Sequence, residues 1–316
     1  MNHLPLLNYQ AVPGSDAADL LYLWGAFPKG RKKPFVVELD NPFVLTYYNS
    51  NAFRHRLGAI KHKLRQAHRI TFLSSAARNH TLELLGEEFA EKSKVFSPFM
   101  ERNYLKNKRQ NDGIVRFLFV GLGFRRKGGP ELLHAFARLP HKNTQLTVIA
   151  DVGDEVKKMY AHDKRIQFLP PQPRTVLFED MYPISDIFVF PSLHESLGVV
   201  LLEALSFGMG LIATNVYATP DLVEDGINGK LLPHPFLASE VFHGVPTVDC
   251  ATLPRSEFMH RYLRTEEYES LTGNLLQAMT EAMEFAPAWQ EKSIALFEKK
   301  FSPECWEQSL QGIIEG

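Results

Sequence analysis

Two glutamates separated by seven residues, Glu195 and Glu203, stand in the run Phe188 to Leu232, FVFPSLHESLGVVLLEALSFGMGLIATNVYATPDLVEDGINGKLL. The run reads as a buried strand to Pro191, a polar elbow from Ser192 to Gly198, and a helix starting near Leu197 or Gly198. In an open α/β sheet, ligands settle beyond the carboxyl ends of strands, where helix N-termini offer unsatisfied N–H groups and a partial positive charge. The elbow is therefore placed for an anionic or polyhydroxy ligand. Glu195 falls just before the helix and Glu203 about two turns later by the ~3.6-residue period, so both carboxylates can face one cleft. A carboxylate accepts from two vicinal hydroxyls, so two of them spaced along a ligand can hold a sugar ring at one end and a ribose at the other. Gly198 lets the backbone approach closely. His194, adjoining Glu195, is the histidine placed to line the same cleft. The competing reading, two solvated helix glutamates, leaves a mostly apolar helix with little use for them.

A second patch, Val120 to Gly129 (VGLGFRRKGG), follows a predicted strand and precedes a helix. Gly121 and the glycines after it allow close approach, and Arg125, Arg126 and Lys127 can neutralise a diphosphate. Loss of a diphosphate needs positive charge where negative charge develops. Lys127 with a helix N-terminus supplies it without a metal, and no Asp-x-Asp motif occurs in the chain. A solvated turn is the alternative for Arg125 and Arg126, less so for Lys127.

With these residues in view, the chain resembles the retaining glycosyltransferases of family 4, whose fold is the two-domain GT-B arrangement and whose signature is two glutamates with seven residues between them. The match is Glu195-Ser-Leu-Gly-Val-Val-Leu-Leu-Glu203, preceded by Phe190-Pro191-Ser192 and followed by Ala204-Leu205-Ser206-Phe207-Gly208. Asp186-Ile-Phe-Val-Phe-Pro-Ser and Asp225-Gly-Ile-Asn-Gly229 extend it. The resemblance implies that Glu195 and the backbone N–H groups of Ser196, Leu197, Gly198 and Val199 hold the donor sugar, and that Glu203 binds the nucleotide ribose. It also places Lys127-Gly128 on the family's G-R-x-x-x-x-K-G segment, with Leu122 at the arginine position and Arg125 or Arg126 standing in for the charge. Leu169 to Gln172 (LPPQ), Pro170 among them, resembles the strand-to-loop junction that receives the nucleobase. Asp151 to Asp154 (DVGD) resembles the family's Gly-Asp-Gly turn, with an ordinary polar turn as the alternative.

In the amino-terminal half, Pro34 to Asn41 (PFVVELDN) resembles the family strand that ends in His-Asp, with Asp40 in the histidine's place. Asp40 can orient the acceptor hydroxyl or stabilise developing positive charge at the sugar, with Glu38 a nearby alternative. A turn carboxylate capping the strand end is the competing reading. By resemblance the catalytic set is Asp40, Lys127 and Glu195, retention proceeds by front-face attack within one ion pair, and the donor is a UDP or GDP sugar with no cofactor and no metal.

The elements that must position these groups alternate. Asp19 to Trp24, Pro34 to Leu39, Arg69 to Ser74 and Ser93 to Ser97 read as strands; Phe53, Leu57, Ile60 and Leu64 recur at helical spacing, and Glu83 to Glu91 reads as a further helix. The polar run Lys106 to Gly113 (KNKRQNDG) lacks apolar periodicity and sets the expected boundary: residues 1–111 form a short acceptor domain, 112–302 a nucleotide-sugar donor domain, with a last helix, 303–314, packing back on the first. Strands follow at Arg116 to Gly121, Leu146 to Ala150, Ile166 to Leu169, Ile187 to Phe190, Gly210 to Thr214 and Gly229 to Leu232. Helices are expected at Glu131 to Leu139, Val199 to Phe207, Asp221 to Glu224 and Tyr268 to Phe285. Apolar strands alternating with helices imply a parallel sheet covered on both faces. The fold expected is α/β, GT-B, two Rossmann-like domains facing a cleft with the N-terminal one abbreviated. Residues 233 to 262, with four prolines, read as an inserted loop.

Length and composition agree: 316 residues suit two domains, and 45% hydrophobic with 22% charged residues is an ordinary globular balance. No stretch approaches the ~18 apolar residues that span a bilayer, which favours a cytoplasmic protein. Cys250 and Cys305 lie far apart, outside metal-like spacing. Residues 1–110 hold 17 Lys and Arg against 9 Asp and Glu, and the rest of the chain 18 against 27. A basic half can meet an anionic surface or draw in an anionic substrate without indicating nucleic acid. Arg54, Arg56, Lys61, Lys63 and Arg65 beside the apolar stripe of the 51–68 helix suit peripheral contact with anionic lipid and hence a lipid-linked acceptor; the plainer reading packs the stripe on the sheet and leaves the charges in water. The acceptor is otherwise a glycan or small molecule. Rival functions are a nucleotide-sugar epimerase or hydrolase on the same fold, and a catalytically degenerate nucleotide-sugar-binding protein, the latter suggested by Leu122 and Asp40.

Overall fold

The computed structural model describes residues 7–14, 17–30, 33–234, 241–242, 245–246 and 265–315. They divide into two compact units, one running to Phe99 and taking in Glu304 onward, the other from Met100 to Pro303.

In the first unit, β1 (Tyr9–Gln10) pairs with β3 (Phe27–Pro28), while β2 (Leu21–Trp24), β4 (Phe35–Leu39), β5 (Arg69–Phe72) and β6 (Ser93–Val95) form a parallel sheet in the order β2-β4-β5-β6. Helix α1 (Ser50–Gln66) joins β4 to β5. Asn49 caps it by accepting from the Ala52 N–H, and Phe53, Ile60 and Leu64 are buried while Arg54, Arg56 and Arg65 are exposed. The stripe packs inside the unit, the plainer of its two readings. The next helix, α2 (Ser75–Leu85), starts where Ser74 caps the Ala77 N–H and stops at Gly86, φ 102°. Glu87–Lys92 is a separate 3₁₀ turn, so the helix expected at Glu83 to Glu91 lies mostly upstream of that span. The sequence cue overlooked was the serine cap on an alanine-rich start. The C-terminal helix (Pro303–Glu315) completes this unit: Ile313, Leu310 and Trp306 pack with Val36 and Phe96, and the Trp306 and Phe96 rings stack at 5.3 Å.

The second unit holds six parallel strands: β7 (Val115–Val120), β8 (Thr144–Ile149), β9 (Ile166–Leu169), β10 (Ile187–Phe190), β11 (Gly210–Thr214) and β12 (Gly229–Leu232), in the order β12-β11-β10-β7-β8-β9. Counted within the unit this is the doubly wound order 3-2-1-4-5-6, which reverses between β7 and β10. Side-chain alternation divides the core. Phe117 and Phe119 face α3 (Gly129–Arg138) through Leu132 and Phe136, whereas Leu118 and Val120 join Phe188, Leu201 and Leu205 on the other face. The remaining helices are α4 (Asp154–Tyr160), α5 (Arg174–Val176, running on into a π turn and a 3₁₀ turn to Ile184), α6 (Val199–Ser206), α7 (Thr219–Leu222) and α8 (Thr265–Lys300); the C-terminal helix is α9. Pro287 lies inside α8, which runs past the Phe285 end expected for it. Trp289, Leu296 and Phe297 beyond the proline are buried and hold the helix.

The units divide at 99/100 rather than at the polar run. Asn103 donates to Ser206 Oγ (3.1 Å), and the Arg109 guanidinium donates to the carbonyls of Ser185 (2.7 Å), Phe207 (2.8 Å) and Gly208 (3.2 Å). Within the polar run, Arg109 and Asn107, the latter donating to the Phe207 carbonyl at 2.9 Å, satisfy the carbonyls left open past the end of α6. Of the insertion, Val241–Phe242 and Val245–Pro246 form an antiparallel pair, β13 and β14; Cys250 lies outside the described residues. Among the described residues no helix is long and apolar enough to cross a membrane.

Candidate functional site

The point where the strand order reverses is bordered by the loop after β7 and the elbow after β10, adjacent parallel strands. Both loops are shaped by glycine. Gly128 has φ 72° and begins α3, and a β-carbon there would stand 2.1 Å from the Pro191 carbonyl oxygen, so only glycine lets the β7 loop rest on the β10 exit. Gly198, φ 76°, turns the elbow into α6. The Leu193 N–H donates to the Arg126 carbonyl at 3.0 Å, tying the loops together.

Across this seam the Lys127 ammonium donates to Glu195 Oε2 and lies 5.0 Å from the centre of the Phe190 ring. The His194 carbonyl is a longer partner at 3.5 Å. Each side chain of the pair is 14% exposed. Burial pulls the Lys127 pKa below its ordinary value, and the Glu195 carboxylate opposes that shift. His194 beside them is pushed down to about 4, by burial and then by Arg126, and its Nδ1 is buried with no hydrogen-bond partner among the described residues. A neutral imidazole with a free nitrogen can donate or accept toward a ligand hydroxyl.

Glu203, in the second turn of α6, is placed differently. It is buried, and its Oε1 accepts from Arg174 Nε (2.8 Å) and its Oε2 from the Tyr182 hydroxyl (2.9 Å). The Arg174 guanidinium in turn lies 4.6 Å from the Phe178 ring centre. The structure thus joins Lys127 to Glu195 and gives Glu203 its own pair of donors. Arg174 and Tyr182 carry no motif; their signal in the sequence is only that they follow the LPPQ junction at the carboxyl end of β9. Beside Arg174 opens a cavity of about 680 Å³ whose lining includes Met100, Lys106, Lys108 and Phe178.

The other expected residues vary in position. Gly121 is buried at the end of β7, and Arg126 is half-buried. Arg125, Pro170 and Val199 are exposed, Ser196 is half-buried, and Leu197 is buried against its neighbours. The Ser196 N–H is taken by Glu195 Oε1 at 3.3 Å. Leu122, where the resemblance calls for arginine, is 82% exposed.

In the first unit, Asp40 follows β4 directly. Its Oδ1 accepts from the Asn41 N–H and its Oδ2 from the Tyr48 hydroxyl, each at 2.9 Å. Part of its role is therefore to cap its own loop. Burial raises its pKa, and the Tyr48 bond opposes this. Tyr47 and Tyr48 have φ of 54° and 61°, a left-handed pair that costs roughly 1–2 kcal/mol per residue for non-glycine side chains. Glu38, two residues earlier on the same face of β4, accepts from the Tyr22 hydroxyl at 2.8 Å and is also raised by burial.

Two Rossmann-like units, the second in this strand order, define a GT-B fold. Residues 101–241 match the family of glycosyl transferases group 1. The chain is 30% identical over 173 residues to the D-inositol 3-phosphate glycosyltransferase of Thermobifida fusca, a match covering 48% of this chain and 39% of that protein. It is 30% identical over 125 residues to an alpha-maltose-1-phosphate synthase of Mycobacterium tuberculosis, covering 36% of this chain and 32% of the relative. The matches thus span well under half the length of these curated relatives. Among solved structures, Anabaena HepE in complex with UDP aligns at TM-score 0.65 and 16% identity over 96% of this chain and 80% of that one. Sucrose-phosphate synthase of Thermosynechococcus elongatus aligns at 0.63 and 16% over 94% and 73%. These likenesses carry the fold.

Proposed function

We propose that this protein is a retaining glycosyltransferase of family 4 that moves a sugar from a nucleotide-diphosphate sugar, of UDP or GDP type, to an acceptor hydroxyl. The observation that carries the reading is the buried contact of Lys127 with Glu195 across the strand-order reversal, on two loops that lead into helix N-termini. In this reading the Lys127 ammonium leaves Glu195 for the donor diphosphate, assisted by Arg125 and Arg126 and by the N-terminus of α3. Glu195, freed of its cation, accepts from donor-sugar hydroxyls together with the N–H groups of residues 196–199, and His194 lines the same site. Glu203 takes the ribose hydroxyls while Arg174 and Tyr182 hold it in place, and the base lies near Pro170. Bond cleavage between the anomeric carbon and the diphosphate oxygen is followed by attack of the acceptor oxygen on the same face, its proton passing to the departing phosphate. Asp40 orients the acceptor. No cofactor or metal enters this scheme, and the protein works in the cytoplasm, with the basic N-terminal half, residues 1–110, suited to peripheral contact with an anionic membrane.

A nucleotide-sugar binder without turnover is the second reading, favoured by the exposed Leu122 in place of a phosphate-binding arginine. Thermal melting in the presence of UDP, GDP and ADP, followed by acceptor-dependent release of the nucleoside diphosphate from matching sugar donors, separates the two. A ligand selective for the native state raises the midpoint by linkage. Stabilisation without turnover supports the binder, sugar release without an acceptor supports a hydrolase, and no stabilisation by any of the three nucleotides removes the transferase reading.

A further inference from the structure

At the amino ends of β4 and β5, the sheet edge away from Asp40, a cavity of about 560 Å³ opens between the end of β3, the approach to β4 and the last turn of α1. Phe35 and Asp40 mark opposite ends of β4, roughly 16 Å apart by the strand rise of ~3.3 Å per residue. Pro28 and Phe35 give the cavity apolar wall, Lys33, Lys63 and His68 give it basic nitrogen, and no acidic residue lines it among the described residues. The His68 N–H donates to the Phe35 carbonyl at 2.8 Å, which fixes the entry of β5 beside that of β4. Its ring Nε2 is buried and has no hydrogen-bond partner among the described residues.

The basic groups around the end of α1 have separate tasks. A helix C-terminus leaves carbonyls open and carries partial negative charge, which cations offset. Lys92 does so here, donating to the carbonyls of Arg65 (2.6 Å) and Ala67 (2.8 Å), and the Arg65 guanidinium is engaged by Glu88 at 3.1 Å. Lys63 shares in neither task. Among the described residues it has no ion-pair partner, and its ammonium lies 5.8 Å from the centre of the Tyr9 ring. Lys33 donates to the Ala18 carbonyl at 2.6 Å, which fixes where its charge sits.

We infer that this cavity is an anion site apart from the proposed reaction site, and that it takes a phosphomonoester, either of a small soluble metabolite or of a lipid headgroup. In open α/β sheets the reacting ligands settle beyond the carboxyl ends of the strands, so an occupant of the amino ends is no party to the transfer, and the inference does not depend on it. A lysine serves phosphate as a point charge without a planar match, so Lys63 and Lys33 suit its oxygens. Rotation of the His68 ring offers its open nitrogen to the same group, while Pro28 and Phe35 face the carbon body of the ligand. The lining repels a cation, and a neutral polyol leaves its charges uncompensated. A carboxylate brings one negative charge where a phosphomonoester brings about 1.5 to 2. The 17 Lys and Arg against 9 Asp and Glu of residues 1–110 draw such an anion in from a distance.

Calorimetric titration of glycerol 3-phosphate, glucose 6-phosphate and inorganic phosphate into the intact protein tests the site, with glycerol and glucose as neutral comparisons. Flotation with phosphatidylcholine vesicles, with and without phosphatidic acid, tells the two sources apart. At least one phosphate, free or in a vesicle, is expected to bind, and to bind about tenfold more weakly in Lys63→Met and in Lys33→Met, the scale of one charged hydrogen bond. Lys63→Arg keeps the charge and is expected to stay within a few-fold of wild type, which separates loss of charge from loss of fold. Binding is expected to persist in Lys127→Met, which distinguishes this cavity from the reaction site. Capture that requires phosphatidic acid puts the phosphate on a lipid, with or without binding of the free probes, and free binding without capture puts it on a soluble metabolite; either supports the site. No phosphate binding in any form, binding indifferent to both methionine substitutions at Lys63 and Lys33, loss of binding in Lys127→Met, or equal binding of the neutral probes overturns the inference.

Discussion

The Lys127 ammonium and the Glu195 carboxylate, 68 residues apart in sequence, meet at the one place in the second sheet where neighbouring strands lead their connections in opposite directions. A buried ion pair contributes little net stability, because desolvating both charges offsets most of their attraction. In the proposed reaction each partner is held ready for an exchange: an incoming diphosphate competes for the cation, and sugar hydroxyls compete for the anion.

Replacing Lys127 with methionine keeps the length and apolar stem of the side chain. Turnover is expected to fall by about 10²-fold or more, the scale seen when a donor to developing charge is removed. The melting midpoint should drop by only a few degrees. Steady-state kinetics beside a thermal melt reads both, and full activity in this variant counts against the diphosphate role.

Glu203→Ala removes the acceptor assigned to the ribose. Charged hydrogen bonds are worth about 1.5–3 kcal/mol, so donor affinity should weaken roughly tenfold or more. Tyr182→Phe leaves the carboxylate but takes away its buried donor, and should cost about 1 kcal/mol of stability with a smaller loss of affinity. Calorimetric titration of the nucleotide measures both; unchanged affinity in Glu203→Ala ends the ribose assignment.

Glu131, in the first turn of α3, is fully buried, and neither carboxyl oxygen has a hydrogen-bond partner among the described residues. Burial pushes its pKa up to about 7 from 4.5. The native state therefore holds a proton that the unfolded chain releases above pH 4.5, and stability from this group is lost as pH rises through 7, by about 3 kcal/mol in all. Glu131→Gln should be the more stable protein at pH 8, with the advantage gone by pH 5. Urea denaturation at the two pH values checks it, and parallel curves for the two proteins refute it.

His194 works in the opposite direction. With its pKa pushed down to about 4 from 6.5, the unfolded state binds the extra proton between those values. Stability is present above pH 6.5 and is lost as pH falls toward 4, by at most about 3 kcal/mol. His194→Asn should flatten this acid limb while leaving the slope above pH 7 alone. An acid limb as steep in the variant as in the wild type would assign it to other groups.

The residues that touch one another through local chain geometry were legible from the sequence pattern itself, whereas the shared pocket expected for Lys127 and Glu195 rested on the family resemblance. The strand, elbow and helix around Glu195 follow from an apolar run, a proline and a glycine in order, and the structure reproduces them almost residue for residue. That Lys127 would reach Glu195 depends on β7 and β10 being neighbours, which strand patterns alone do not specify. Arg174 and Tyr182 sit in a stretch that passes from α to π to 3₁₀ geometry, so no single apolar period marks it. The run Lys106 to Gly113 reads as a tether because hydrogen bonding to helix-end carbonyls, as Asn107 and Arg109 do it, calls for the same polar residue types as a solvated linker. At Asp40 the strand end was readable, but the Tyr48 hydroxyl reaches it through a left-handed turn that a tyrosine does not announce.

The return of α9 to the first unit bears on how the chain matures during synthesis. Val36 and Phe96 have their covering residues, Leu310 and Ile313, more than 200 positions later, so their cluster stays incomplete until the ribosome has made nearly all of these 316 residues. The second unit is continuous and has its full complement of strands well before that. Vectorial synthesis therefore favours the second unit as the earlier one to consolidate, with the sheet of the first waiting, its apolar face open to chaperones, for α9 to arrive.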